Sequence, residues 1–320
     1  MKIIDENIIQ LTLPTPFAVG DVHVYLMKGD TLTLIDAGAK TIQAKDSFVH
    51  QLKKIGYGLM DIEQIVLTHH HPDHTGLIEE FPRLKHIMAH QEVDLWLTMN
   101  SPFLRNNEKF FEGFFILNGV PEKFHPAINE MTDDFEYGGR GSLSGMLKEN
   151  DTIPAHPDWR VIETKGHAQT HLSFVRDSDG LIIGGDHLIK HISPNPMIEA
   201  PIIEGEERQR PMLDYRDSLK KCSNLELTSV LPGHGEIFSG INELISKRLV
   251  SQEKRAEKVY RLIKSNSLTP YEICTQLFPK YYEKQINLTM SETIGQLDYL
   301  LDEKLIDYSI EDGILIYYAK

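Results

Sequence analysis

The sequence predicts an α/β protein in two parts, a large sheet-based domain over residues 1–240 and a small helical domain over residues 241–320. Three observations carry this. Short apolar runs recur through the first 240 residues and end in Gly, His or Asp. An aromatic-rich stretch at 91–150 interrupts them. After Gly240 the apolar spacing becomes helical and closes in a hairpin signal. A chain of 320 residues suits one large domain with a smaller partner.

In order, Val22–Met27 and Thr31–Ile35 flank Lys28-Gly29-Asp30 as a predicted hairpin, and Asp36-Ala37-Gly38 ends the second strand in a turn. Thr41–Ile55 has helical spacing through Ile42, Phe48, Val49, Leu52 and Ile55. Ile62–Thr68 reads as a buried strand running into Thr68–Gly76, where Asp73 and His74 start a helix that runs through Gly76–Phe81. Residues 91–150 carry Phe110, Phe111, Phe114 and Phe115, then Gly138-Gly139-Arg140-Gly141, and read as a helical insertion followed by a loop. The glycines lack the Lys-Ser/Thr ending of a phosphate loop. The insertion from Phe103 to Phe124 suits either an apolar pocket wall or lid, or plain core packing.

Strands return at Val161–Glu163 before Gly166-His167, at Leu172–Arg176, at Leu181–Ile183 before Gly184-Gly185-Asp186, and at Ser229–Leu231 before Pro232-Gly233-His234-Gly235. Each delivers His or Asp where a rigid sheet can fix it. Beyond Gly240, Asn242–Lys264 reads as an amphipathic helix. Capping boxes at Thr269–Glu272 and Thr289–Glu292 open two more helices, and Asp312-Gly313 joins Ile306–Ile310 to Ile314–Tyr318. Three helices and a hairpin make a winged-helix arrangement.

Composition narrows the function. Hydrophobic residues are 41% and charged residues 25%, an ordinary globular profile. The net charge of −14 opposes non-specific binding to nucleic acid or anionic membrane. Cys222 and Cys274 lie far apart and form no metal or redox pair. Neither a secretory leader nor a membrane span is evident, so a cytoplasmic location is expected.

Four of the fifteen histidines fall within residues 69–74, where a uniform spread would place fewer than one. His69, His71, Asp73 and His74 form H-x-H-x-D-H, a set of donors for borderline divalent metals. In an extended segment His69 and His71 share one side, while Asp73 and His74 lie around a turn and can address a second point. This is half of a two-metal site. His167, Asp186 and His234, each at a strand end beside glycine, complete it. One ion takes His69, His71 and His167, the other takes Asp73, His74 and His234, and Asp186 bridges.

Through Thr68–Gly76, Gly166-His167, Gly185-Asp186, Pro232–Gly235 and Leu34–Gly38, residues 1–240 resemble the metallo-β-lactamase superfamily. The C-terminal part is similar to the winged-helix extension of one branch. The resemblance implies an αββα sandwich followed by a small winged-helix domain, with metals at one sheet edge. Asp73 and Asp186 look like the glyoxalase II pattern. The diiron oxygen-reducing branch has Glu where this chain has His71, and the class B β-lactamases generally differ at Asp73 and use Cys near the position of Asp186. One departure is Gln169-Thr170, where many members have Pro-Gly, which leaves the shape of that wall open.

Such a site predicts a dinuclear hydrolase that makes hydroxide at neutral pH and acts on an ester, thioester or lactone. Two divalent ions are implied, zinc foremost, with iron or manganese fitting the same donors. Asp73 is first a ligand and is also placed to take the proton of the attacking water. His191, and less so His187, follows the bridging Asp and could donate to a substrate oxygen. Asp36 reads either as a turn cap or as a partner of a ligand imidazole. His171 reads as packing or as such a partner, and His70 should point away. His23, His50, His86, His90, His125 and His156 have no partner pattern.

The alternative is an endoribonuclease or phosphodiesterase, since the same core can cut phosphodiesters. Residues 241–320 hold 11 Lys+Arg against 12 Asp+Glu, and the expected recognition helix carries Glu292, Asp298, Asp302 and Glu303 against Lys304, a poor nucleic-acid surface. Two lesser alternatives are a mononuclear iron sulfur dioxygenase at His69, His71 and His167, and a non-enzymatic partner-binding protein. The expected partner is a small-molecule substrate, with no membrane. The winged helix could close the cleft, pack on the core or build a homodimer.

Overall fold

The computed structural model describes residues 1–128 and 134–320. Part of the expected 91–150 insertion, residues 129–133, lies outside the described residues. By internal contact the chain forms two units. One comprises Met1–Asn100, Asp134–Pro194 and Lys221–Ile241; the other comprises Ser101–Asp133, Asn195–Lys220 and Asn242–Lys320. The second unit therefore takes two earlier segments together with Asn242–Lys320.

In the first unit, one sheet runs β1 (Lys2–Ile3), β2 (Ile8–Leu13), β3 (Val22–Met27), β4 (Thr33–Ile35), β5 (Gln64–Val66), β6 (His86–Ala89) and β7 (Gly145–Met146), in that spatial order. Pairing is antiparallel as far as β4 and parallel from β4 onward. The other sheet holds β8 (Thr152–Ile153), β9 (His156–Glu163), β10 (Leu172–Arg176), β11 (Leu181–Gly185) and β12 (Ser229–Pro232), in the order β12-β11-β10-β9-β8. Here β9 and β11 each pair antiparallel with β10, and β12 pairs parallel with β11. The C-terminal ends of β9, β11 and β12 consequently emerge at one edge.

Period-two alternation builds the layers. Val22, Val24 and Leu26 of β3 join Ile9, Leu11 and Leu13 of β2 in a core shared with Ala44, Phe48 and Leu52 of helix α1 (Ile42–Lys54). The intervening residues Tyr25 and Met27, with Ile35 and Val66, pack instead against Trp159, Val161, Phe174 and Ile183 of the second sheet. The middle of the first sheet thus packs on α1 on one side and on the second sheet on the other. Thr41 caps α1 by accepting from the Ala44 amide, and Ile55 ends it as expected.

One local expectation fails after the histidine cluster. The helix α2 spans Pro72–Thr75, and only a 3-10 turn, Ile78–Glu80, follows it. The helix does not continue through Gly76–Phe81 because the Gly76 and Leu77 amides donate to the Gly38 and Ala37 carbonyls, at 2.6 and 3.1 Å, instead of to the preceding turn. The helix α3 (Val93–Leu97) completes this unit's described helices before residue 100.

The second unit contains α4 (Ser101–Leu117), α5 (Pro211–Ser223, whose last residues belong to the first unit), α6 (Ile241–Ser265), α7 (Pro270–Leu277) and α8 (Ile286–Asp302), then the hairpin β13 (Ile306–Glu311) and β14 (Ile314–Ala319). Phe111, Phe114 and Phe115 are buried with Val259, Ile273, Ile294, Leu297 and Tyr317. These phenylalanines are core packing, one of the two readings their stretch allowed. Thr269 forms the expected capping box with Glu272. Thr289 does not: it lies inside α8 and returns its hydroxyl to the Gln285 carbonyl at 2.9 Å. Glu292 and Asp298 of α8 are buried and pair with Arg255 and Arg208. The expected exposed recognition face is therefore missing from this helix.

Candidate metal centre

The site is assembled where strand ends meet. From β5 the chain continues extended through Thr68–His71, and alternate residues take opposite sides. His69 and His71 face inward, with His69 Nε2 and His71 Nδ1 2.9 Å apart. Pro72 then opens α2 at a position that needs no amide donor, and Asp73 and His74 follow in its first turn. The loop after β9 brings His167 Nε2 to 3.1 Å from His71 Nδ1. The end of β11 supplies Asp186, and the end of β12 supplies His234.

Asp186 stands between the two halves. Its Oδ1 is 3.4 Å from His74 Nε2, and its Oδ2 is 3.6 Å from His167 Nε2 and 3.4 Å from His234 Nε2. Asp73 Oδ2 is 3.3 Å from His234 Nε2, and Asp73 Oδ1 is 3.9 Å from His74 Nε2. Three overlapping donor sets result: His69, His71 and His167; His69, His74 and Asp186; and Asp73, His74 and His234. All seven expected residues are brought together.

The donors fit a cation. His74 Nε2, His234 Nε2 and Asp186 Oδ1 are buried and have no hydrogen-bond partner among the described residues, which is costly unless something else satisfies them. Donors held about 2.0–2.2 Å from one tetrahedral ion stand roughly 3.3–3.6 Å from each other. Four of the carboxylate–imidazole separations above fall in that range. The two imidazole pairs at 2.9 and 3.1 Å are somewhat tighter.

Electrostatics divides the cluster. Burial, reinforced by neighbouring imidazoles, holds His69 and His71 well below the usual histidine value, so both keep a lone pair free. Burial opposes charge on His74 as well, but the carboxylates of Asp186, Asp36 and Asp73 outweigh it and raise His74. The same balance, with Asp186 foremost among the carboxylates, lifts His234 to about 10. Burial resists ionisation of Asp186, yet His234 and His74 hold it well below the ordinary carboxylate range.

Surrounding residues fix the imidazoles. Asp36 Oδ2 accepts from His74 Nδ1 and from the Thr68 hydroxyl, both at 2.8 Å, and Oδ1 accepts the Thr68 amide at 2.7 Å. It acts as the partner of the His74 imidazole, one of its two expected readings. His69 Nδ1 lies 2.9 Å from the Thr68 hydroxyl, and His234 Nδ1 donates to the Asp21 carbonyl at 2.8 Å. His171 Nε2 accepts the Asp186 amide at 3.0 Å, so its Nδ1 carries the proton toward Thr164 Oγ1 at 2.8 Å. His70 points away as expected. His191 is exposed, and its ring lies over Gly235, where an added Cβ would come within 2.4 Å of Nδ1.

Other contributors were not visible in the sequence. His23 Nε2 lies 2.6 Å from the Gly235 carbonyl, its amide donates to the Gly233 carbonyl at 2.7 Å, and the Tyr25 hydroxyl donates to Pro232 at 2.6 Å. Together they pin the loop that carries His234. Gly139 lies against α2, where a Cβ would meet the Thr75 carbonyl at 2.3 Å. The glycine cluster at 138–141 thus serves close packing behind the donors. Only the alternating run of β3 hinted at His23, and nothing local hinted at Gly139. Among the described residues no helix is long and apolar enough to cross a membrane, and both cysteines are free and buried.

The superfamily description of the metallo-β-lactamases matches residues 18–234. The chain is 40% identical over 313 residues to the probable metallo-hydrolase YqjP of Bacillus subtilis strain 168, covering 98% of each. It is 26% identical over 132 residues to the N-acyl homoserine lactonase AttM of Agrobacterium fabrum, covering 40% of each. Its fold matches the crystal structure of the metallo-β-lactamase family protein TTHA1429 from Thermus thermophilus, with a TM-score of 0.81 and 23% identity, over 99% of this chain and 100% of that one. The matched span contains every donor of the cluster, and the chain belongs to the metallo-β-lactamase superfamily as a metal-dependent hydrolase.

Proposed function

We infer that the protein is a dinuclear hydrolase of an ester, thioester or lactone, with a glyoxalase II-like ligand set. His69, His71 and His167 would hold one divalent ion, Asp73, His74 and His234 the other, with Asp186 between them. Zinc suits this nitrogen and carboxylate set best. The observation that carries the reading is the group of buried, unpartnered atoms His74 Nε2, His234 Nε2 and Asp186 Oδ1 facing one another. When bound, such a pair of ions would polarise a substrate oxygen and make a water nucleophilic near neutral pH.

The chain's own residues do the rest. Asp36, Thr68 and the Asp21 carbonyl orient the imidazoles that face the donor cluster. His171 fixes the backbone of Asp186. Asp73 Oδ1 and Oδ2 can receive a proton in addition to ligating. His191, exposed beside the His234 loop, would donate to a substrate or leaving-group oxygen. The named activity of the lactonase relative favours acyl substrates. The burial of α8 removes support from a nucleic-acid-reading role. The three helices and hairpin of residues 241–320, joined by a bridge from Leu268 to Tyr317, support the winged-helix reading.

Metal analysis of protein purified without added metal tests the reading. Two zinc per chain supports it, and one iron points to the dioxygenase alternative. A screen of acyl thioesters, lactones and bis-p-nitrophenyl phosphate then tests the substrate class. Turnover of the phosphodiester alone would overturn it.

A further inference from the structure

The buried Thr170 places Oγ1 2.9 Å from His70 Nδ1. On its face, the His70 ring lies flat against Trp96, with centroids 4.2 Å apart and planes 9° from parallel. Phe135 backs the indole edge-on at 5.3 Å. In the extended segment 68–71, His69 and His71 turn to the donor cluster, which leaves His70 facing the loop that carries His167. That loop is tied at its far end by the Leu172 amide donating to the Thr68 carbonyl at 2.7 Å. Within it the Thr164 amide donates to the His171 carbonyl at 2.9 Å and the His171 amide to the Ala168 carbonyl at 3.3 Å, so the Thr170 side chain adds a tie to His70 on a loop already closed by its own backbone.

We propose that Thr170, His70 and Trp96 form a strut that sets the separation of His167 from His71, and through it the metal affinity of the three-histidine site. None of the three is a ligand; they are positioning residues. The Thr170 hydroxyl ties the loop that carries His167 to His70, the residue between His69 and His71. The proposal rests on the reading that His69, His71 and His167 hold one ion.

The test uses zinc as probe. Wild type, Thr170→Val, Thr170→Ser and Trp96→Leu are each loaded with two equivalents of zinc, and release to a chromophoric chelator is followed alongside the thermal midpoint. Partners of ligand residues typically alter metal affinity about 10–100-fold. Thr170→Val should therefore release one of its two ions about tenfold faster, with the other at the wild-type rate, and Thr170→Ser should restore the slow rate. Trp96→Leu, which removes the stacking partner of the same imidazole's ring face, should reproduce the selective loss and carries the test if Thr170→Val does not fold. Wild-type release of both ions from both variants overturns the proposal. Equal acceleration of both ions with a lowered midpoint marks general packing and also overturns it. A wild-type chain that takes up no zinc overturns the underlying metal reading as well, and that is measured first.

Discussion

Asp36 Oδ2 accepts from His74 Nδ1 at 2.8 Å, which leaves His74 Nε2 directed at Asp186. The same carboxylate takes both donors of Thr68. An amide at this position would set an N–H group against one of these donors. Asp36→Asn, which tolerates the residue's φ of +60°, should therefore weaken metal binding by about 10–100-fold. Competition with a chelator of known affinity measures it.

Asp186→Asn should lose metal and activity together, because Asp186 oxygens approach His74, His167 and His234 at once. Metal content and turnover are read on the same sample. Full activity in that variant would remove Asp186 from the mechanism.

His191 touches the Gly235 position without approaching the donors at hydrogen-bond distance. His191→Ala should keep a wild-type metal content and lower kcat by about 10²–10⁴, the usual worth of a positioned proton donor. Unchanged kcat would relegate His191 to the surface.

Removing metal should lower thermal stability, since buried donors then lose their only proposed partner. At free zinc about a hundredfold above Kd, binding contributes about 2.7 kcal/mol. Chelation followed by zinc addition, monitored by thermal denaturation, should show a reversible shift. An identical midpoint with and without metal would count against a bound ion.

Gly139→Ala should destabilise the fold by about 1–3 kcal/mol, the cost of forced overpacking, because its methyl would press on the Thr75 carbonyl. Denaturant titration measures it. A neutral effect would show that the loop can retreat from α2.

The donor residues were legible because their types are costly to crowd without a purpose, and because each follows an apolar strand. His69, His71, Asp73, His74, His167, Asp186 and His234 all converge. Roles that depend on long-range neighbours were not legible. His171 is distinguished by the amide of Asp186, fifteen residues away, and His23 by carbonyls more than two hundred residues away. Thr289 carries a capping motif whose position inside α8 follows from burial that no local pattern records. Gly139 gave no sign of its role, because a glycine that admits a ligand and one that packs on a helix are alike in sequence.

β11 and β12 lie side by side and parallel, yet more than forty residues of chain separate Asp186 from His234. The sheet's hydrogen bonds hold the two ends in register whatever the intervening chain does. The exposed stretch of that connector, residues 202–207, can lengthen, shorten or change chemistry without dragging either side chain away. New specificities can thus arise there on an unaltered reactive centre, a freedom the tight Pro72 turn denies to the histidine cluster.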